Sequence, residues 1–140
     1  MLISGDGRLI GVMVQGARVL NVAKGSGFVA RSWLENDGRP ISQRAAHGDM
    51  PSWIEIVRKG SEPQYPCQAR LVVVQAWRSD LVCDGFDLGR LATAGGVAGR
   101  FDRSGRLHWI TVRQAIGRRL WNSPELRRAK GRYFAGGKAP

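Results

Sequence analysis

The chain has 140 residues, a formal net charge of +11 and nineteen glycines. That length suits one domain with its own core, and the ordinary apolar content excludes a wholly disordered chain. No apolar run approaches a membrane span and the first residues lack a secretory signal's long apolar stretch, so the chain reads as soluble; work outside the cytoplasm would need an export signal that these residues do not carry.

In chain order, Met1–Ser4, the turn Gly5-Asp6-Gly7 and Arg8–Val14 predict strand, turn, strand, because Asp-Gly supplies the positive φ of tight hairpins. Gln15-Gly16 then turns into a third strand over Ala17–Ala23, completing a meander. Lys24–Gly27 is glycine-rich but lacks the Gly-Lys-Ser/Thr ending of a phosphate-binding loop, and reads as a turn. Phe28–Glu35 has helical spacing, with Phe28, Val29, Ser32 and Trp33 on one side, Ser26 as the cap and Asn36-Asp37-Gly38 as the stop. Pro40–Asp49 is polar, with a helical turn at Ser42–Ala46. Trp53–Arg58 predicts a strand and Ser61–Pro66 a loop.

Leu71–Val74 is an unbroken apolar run rich in β-branched residues, as in a strand buried on both faces. The only two cysteines, Cys67 and Cys83, bracket it. Spacing alone favours two small buried hydrophobes that never meet, and leaves open a bridge closing a loop over the strand. Phe86–Leu91 predicts a helical turn capped by Asp84. Gly95–Phe101 and Leu107–Val112 flank Asp102-Arg103-Ser104-Gly105, a hairpin loop. Beyond Gln114 the pattern weakens; Ser123-Pro124 suits the start of a short helix to about Tyr133, and Ala135–Pro140 reads as disordered.

The basic charge is concentrated at the end of the chain. Between Arg113 and Pro140, eight basic residues face one acid, Glu125, a net +7 of the +11. A polyanion partner fits this, as does a solvated basic tail. Trp33, Trp53, Trp77 and Trp109 sit in or beside apolar runs and read as core, whereas Trp121 lies between Arg118-Arg119 and Arg127-Arg128 and is a candidate for stacking on a base. The nucleic-acid contact candidates are therefore Arg113, Arg118, Arg119, Trp121, Arg127, Arg128, Lys130 and Arg132. Catalytic chemistry has no comparable pattern. His47 and His108 lack metal-ligand companions, no Cys-x-x-Cys or Gly-x-Ser-x-Gly occurs, and Asp84 and Asp87 sit in a turn with the look of a cap. Neither a cofactor nor a small-molecule substrate is implied.

The order of segments resembles a family. Ser4-Gly-Asp-Gly-Arg-Leu-Ile-Gly-Val, Gly27-Phe-Val-Ala-Arg-Ser-Trp-Leu-Glu-Asn-Asp-Gly, Cys67-Gln-Ala-Arg-Leu-Val-Val-Val with Cys83, Asp87-Leu-Gly-Arg-Leu-Ala-Thr-Ala-Gly-Gly-Val-Ala, the hairpin from Asp102 to Trp109, and Gly117-Arg-Arg-Leu-Trp-Asn follow one another in that order. Together they look like the C-terminal domain of alphaproteobacterial ComEC, the inner-membrane DNA-uptake channel, over roughly residues 2–122.

The resemblance implies a β-rich domain of the α+β or α/β class, a degenerate metallo-β-lactamase-like fold with short helices, over residues 1–122. A basic tail, helical in part, follows over 123–140. It implies a place on the periplasmic face of the inner membrane, with the channel and DNA as partners. Cys67 and Cys83 match a pair recurring in the family, and a periplasmic address would oxidise them. The His-x-His-x-Asp-His ligand motif of active metallo-β-lactamase nucleases has no counterpart in these residues, so the expected role is non-catalytic: docking to the channel assembly or weak contact with DNA. The alternatives are a stand-alone basic nucleic-acid-binding module and, least supported, a metal-dependent hydrolase.

Overall fold

Two sheets packed face to face carry the chain, and a disulfide fastens the outer side of the smaller one. The computed structural model describes residues 1–63, 67, 69–78, 81 and 83–117. The first sheet is antiparallel and contains β1 (Leu2–Ser4), β2 (Ile10–Val14), β3 (Ala17–Leu20), β7 (Gly96–Phe101) and β8 (Leu107–Thr111), in the order β3-β2-β1-β7-β8. The second is parallel and contains β4 (Ile54–Val57), β5 (Leu71–Val74) and β6 (Gly85–Phe86) in that order. Helices α1 (Gly27–Asn36), α2 (Gln43–Ala46), α3 (Leu88–Ala94) and α4 (Val112–Ile116) complete the elements. The mixed, β-rich class expected from the sequence is present. Among the described residues no helix is long and apolar enough to cross a membrane.

The meander forms as its turn chemistry dictates. Gly7 takes φ 66°, while Asp6 Oδ1 accepts from the Ser4 hydroxyl at 2.5 Å and from the Arg8 N–H at 3.1 Å. Alternation then sends Ile3, Ile10, Val12 and Val97 to one face, where they meet Ile54, Leu71, Val73 and Phe86 of the second sheet and Leu91 of α3. The other face is covered by α1 at its β2–β3 side, through Ala30 and Leu34 against Leu9 and Leu20. The expected inner stripe of this helix is therefore displaced. Ala30 and Leu34, one turn apart, face the core; Val29 and Trp33 flank them, and Phe28, in the first turn, is 87% exposed.

β5 is buried at all four positions, because sheet one covers Leu71 and Val73 while Val72 and Val74 pack with Val57 and Cys83 on the outer side. Parallel neighbours need crossovers, usually helical ones of a dozen or more residues. Neither crossover here, 58–70 or 75–84, holds a helix among its described residues. Instead Cys67 of the first is bonded to Cys83 of the second, with Cα atoms 5.8 Å apart. The bridge lies on the outer side of β5, where a crossover helix would otherwise sit. In the chain-entropy account, closing a loop of this length contributes roughly 3 kcal/mol.

Three sequence expectations need correction. Phe86 pairs with Val73 as a strand, so the following helix begins at Leu88 and its cap is Asp87, not Asp84. Asp87 accepts from the Arg90 N–H at 2.8 Å and from the Arg78 N–H at 2.9 Å. Burial pushes its carboxyl up, and backbone N–H groups of Arg90, Arg78 and Gly89 outweigh that, leaving it below the usual carboxylate range. Trp77 and Trp109 are not core residues, being 73% and 45% exposed. Trp77 lies against Gly89 at the surface, and Trp109 stands on the edge strand β8, where it meets Phe86 of the second sheet edge-to-face and stays half-exposed. The boundary at 122, the helix over 123–133, and Arg118, Arg119, Trp121, Arg127, Arg128, Lys130 and Arg132 lie outside the described residues.

Candidate nucleic-acid interface

β8 is an edge strand, paired only with β7 in the sheet order. Its five residues span about 17 Å at roughly 3.4 Å each. Arginines from distant parts of the sequence gather at both of its ends.

At one end is the β7–β8 hairpin. Asp102 Oδ1 accepts from the Ser104 N–H at 2.8 Å, the Ser104 hydroxyl at 2.6 Å and the Arg106 N–H at 3.0 Å, and Oδ2 meets His108 Nε2 at 2.7 Å. The Ser104 hydroxyl, His108 and the Arg106 N–H hold this carboxyl well below its ordinary range. Asp102 is the one acid in the segment 100–117, and its charge is engaged inside the loop. Arg100, Arg103 and Arg106 are exposed around it. Arg70, which precedes β5, joins them: its Nη1 donates to the Gly105 carbonyl at 3.1 Å and its guanidinium lies 5.9 Å from the Phe101 ring centre. Such a contact orients a guanidinium without neutralising it.

At the other end, the capping box of Thr111 and Gln114 starts α4 and presents Arg113. Arg113 and Arg90 of α3 line one open cleft of ≈ 450 Å³, together with Phe86, Thr93, Thr111 and Gln114. Arg90 Nη1 donates to the Gly85 carbonyl at 2.9 Å, and Asp84 next to that glycine is an exposed carboxylate nearby. Trp109 stands between the two ends, its ring edge-to-face with Phe86 at 5.5 Å. A second such pair, Trp53 on Phe101 at 4.8 Å, fixes the hairpin end.

The result is a strip of guanidiniums with a half-exposed indole between them. Forked donors of this kind match phosphate oxygens, and an indole face accepts any base. Of the sequence-derived contact candidates, Arg113 is the one within the described residues, and it falls on this strip. Arg70, Arg90, Arg103, Arg106 and Trp109 are not among those candidates. The hairpin pair could have been found from the turn sequence Asp102–Arg106, but nothing local brings Arg70 to that pair or Arg90 to Arg113.

The two histidines go separate ways: His108 to Asp102, and His47 to the end of α2, where it bridges to Leu20. Among the described residues no group of three or more His, Cys, Asp or Glu side chains could hold a metal ion. Compared with protein-family models, curated proteins and solved structures, the chain matches none.

Proposed function

We propose that this chain is a non-catalytic, DNA-contacting domain of a ComEC-like DNA-uptake protein, a degenerate relative of the metallo-β-lactamase fold working on the periplasmic face of the inner membrane beside its channel. The observation that carries the DNA contact is the convergence of Arg70, Arg103 and Arg106 at one end of β8 and Arg90 and Arg113 at the other, with Trp109 exposed between them. The sequence after Gly117 carries seven further basic residues against one acid. The family part of the reading rests on the collinear segments of the sequence, and the disulfide between Cys67 and Cys83 is in keeping with an oxidising compartment.

Binding of this kind is independent of sequence and depends on salt, because each neutralised phosphate releases a condensed counterion. About four phosphate contacts give a log–log salt slope near −3 on a single strand, at roughly −0.7 per contact. The test is fluorescence anisotropy of a labelled single-stranded oligonucleotide between about 50 and 200 mM salt. An absence of salt-sensitive binding at the low end would remove DNA contact and leave a docking role. A channel-encoding reading frame immediately upstream would support the uptake assignment, and a solitary gene would favour a stand-alone module. Cleavage of DNA that a chelator abolishes would overturn the non-catalytic reading.

A further inference from the structure

The face of the first sheet opposite the main core is covered by α1 over β2 and β3, and over β1, β7 and β8 it carries an apolar trough of ≈ 300 Å³. Leu2, Ala98 and Ile110 form its floor, with Val29 and Trp33 of α1 on one side and Val112 of α4 on the other. Strand register explains the hollow. Leu2, Ala98 and Ile110 stand in one row, and the neighbouring row pairs Ser4 with Gly96, so small residues at 96 and 98 sit between larger ones. Ile110 is 49% and Val112 43% exposed, which leaves apolar surface in water.

In the other direction the next row pairs Arg100 with His108, and strand alternation puts both on this same face. They border a second hollow of ≈ 430 Å³ that adjoins the trough through Ala98 and Ile110. Asp102 holds His108. Arg100 is exposed and, among the described residues, has no hydrogen-bond or ion-pair partner. The groove is therefore apolar between the two helices and cationic toward the hairpin. Its two ends, Gly96 and Arg100, lie about 14 Å apart along β7 at roughly 3.4 Å per residue.

We propose that this groove binds a single-chain anionic amphiphile of the fatty-acid kind, its alkyl chain along β7 in the trough and its carboxylate on Arg100. A guanidinium fork matches a carboxylate, and the trough's volume lies at the lower end of the range for small-ligand sites, about 300–1,000 Å³. Other occupants fit less well. A helix about 10–12 Å across would fill that volume within one turn. A flat bilayer meets α1 first, because a helix standing on the same face leaves the floor recessed by about 10 Å. A second copy brings another chain of net charge +11 against Arg100. The proposal does not rest on DNA contact: alternation sends Trp109 to the opposite face of β8, where it packs on Phe86.

The test adds hexanoate, octanoate and decanoate, each below its micelle concentration, to the full chain without nucleic acid, with binding followed by NMR. Nuclear Overhauser contacts are expected between the decanoate chain and the methyl groups of Ile110 and Val112. Their absence overturns the proposal. Affinity should rise by up to about 4-fold per added methylene while the trough fills. Decyltrimethylammonium, with the same tail and a cationic head, should bind more weakly than decanoate; equal affinity for the two heads overturns the assignment to an anion. Arg100→Gln is expected to weaken decanoate binding by about 2- to 5-fold, the reach of an exposed ion pair, without moving Tm. Ala98→Leu, which fills the hollow, should weaken it by roughly 10-fold or more, as when two methylenes stay in water. Two variants that both bind decanoate as the wild type does would place the ligand elsewhere and overturn the proposal. Should Ala98→Leu not fold, the wild-type Overhauser contacts and the comparison of heads decide alone. If vesicles of phosphatidylglycerol broaden the Ile110 and Val112 signals while decanoate does not touch them, the face is a membrane contact and the proposal fails.

Discussion

Arg18 and Asp37 grip one another with two parallel hydrogen bonds, Nε to Oδ2 at 2.5 Å and Nη2 to Oδ1 at 2.9 Å, and so pin the end of α1 to β3. Arg18 is 8% exposed. Its stem has room because Gly11, diagonally across on β2, has no side chain, and a Cβ there would sit 2.9 Å from Arg18 Cδ. Removing one partner of such a pair leaves a buried charge uncompensated, at a typical cost of about 3–5 kcal/mol. Asp37→Ala is expected to lose that order of stability in urea unfolding, and an unchanged midpoint would contradict the account.

The same pair sets an acid limit. Hydrogen bonding from Arg18 holds the Asp37 carboxyl below its ordinary value. Because the folded value is the lower one, the contribution is complete above the unfolded carboxylate value of about 3.9 and is lost as pH falls through the folded value. Wild-type stability should therefore decline below about pH 4. Asp37→Asn, which cannot titrate there, should be less stable at neutral pH and show a shallower decline. Parallel pH profiles for the two proteins would remove Asp37 from the explanation.

The Cys67–Cys83 bridge joins two crossovers that have no helix among their described residues to hold them. Cys67→Ala together with Cys83→Ala is expected to cost roughly 3 kcal/mol, with the loss appearing as a lower urea midpoint at nearly constant slope. Reduction of the wild type should reproduce it. If the reduced protein melts at the same temperature as the oxidised one, the crossovers are held by other contacts.

Gly85 is a point of close approach. Opposite Val72 in the parallel pair of β5 and β6, a Cβ at this position would collide with the Val72 carbonyl. That carbonyl is backbone in a buried strand and cannot swing aside. Gly85→Ala is expected to destabilise by at least about 1–3 kcal/mol, the usual cost of overpacking, and amide exchange at Phe86 should quicken relative to β1 and β2. A fully stable alanine variant would mean that β6 is able to shift.

The legible parts of this fold are those written in short stretches. Gly5-Asp6-Gly7 encodes its own hairpin, and Leu71–Val74 can be buried on both faces because no residue in it needs water. The parallel pairing of β4 with β5 is not legible, since crossovers without regular structure leave no periodic trace. Arg18 looks like a solvated strand residue until Asp37, nineteen positions away, is brought beneath it. Asp84 reads as the helix cap in place of Asp87 because Phe86 fits a helical stripe; its pairing with Val73 moves the helix start. The tryptophans mislead for a related reason. An apolar neighbourhood marks a strand, but how fully a second layer covers that strand is not written in it, and at Trp109 the cover is partial: Phe86 packs on the ring, which stays half-exposed.

That exposed position gives the most discriminating expectation for the interface. If bases stack on Trp109, Trp109→Ala should weaken single-strand binding by about 1–3 kcal/mol, a loss of roughly 5- to 150-fold. Duplex binding should change little, because paired bases are not free to stack on the ring. Arg103→Gln and Arg106→Gln act differently. They take away charges that pair with phosphates, so affinity for both forms should fall and the single-strand salt slope should shrink by about 0.7 for each phosphate no longer neutralised. Arg90→Gln and Arg113→Gln, at the far end of β8, should do the same if one strand follows the whole strip. A slope that responds to the hairpin pair but not to the far pair would confine binding to the hairpin. Among the described residues the half-exposed indole packs edge-to-face on Phe86, an interaction worth about 0.5–1.5 kcal/mol. Trp109→Ala should therefore lower Tm slightly while lowering affinity strongly. A variant that melts much earlier yet binds a single strand as the wild type does would make Trp109 a packing residue, and would leave the arginines as the whole of the interface.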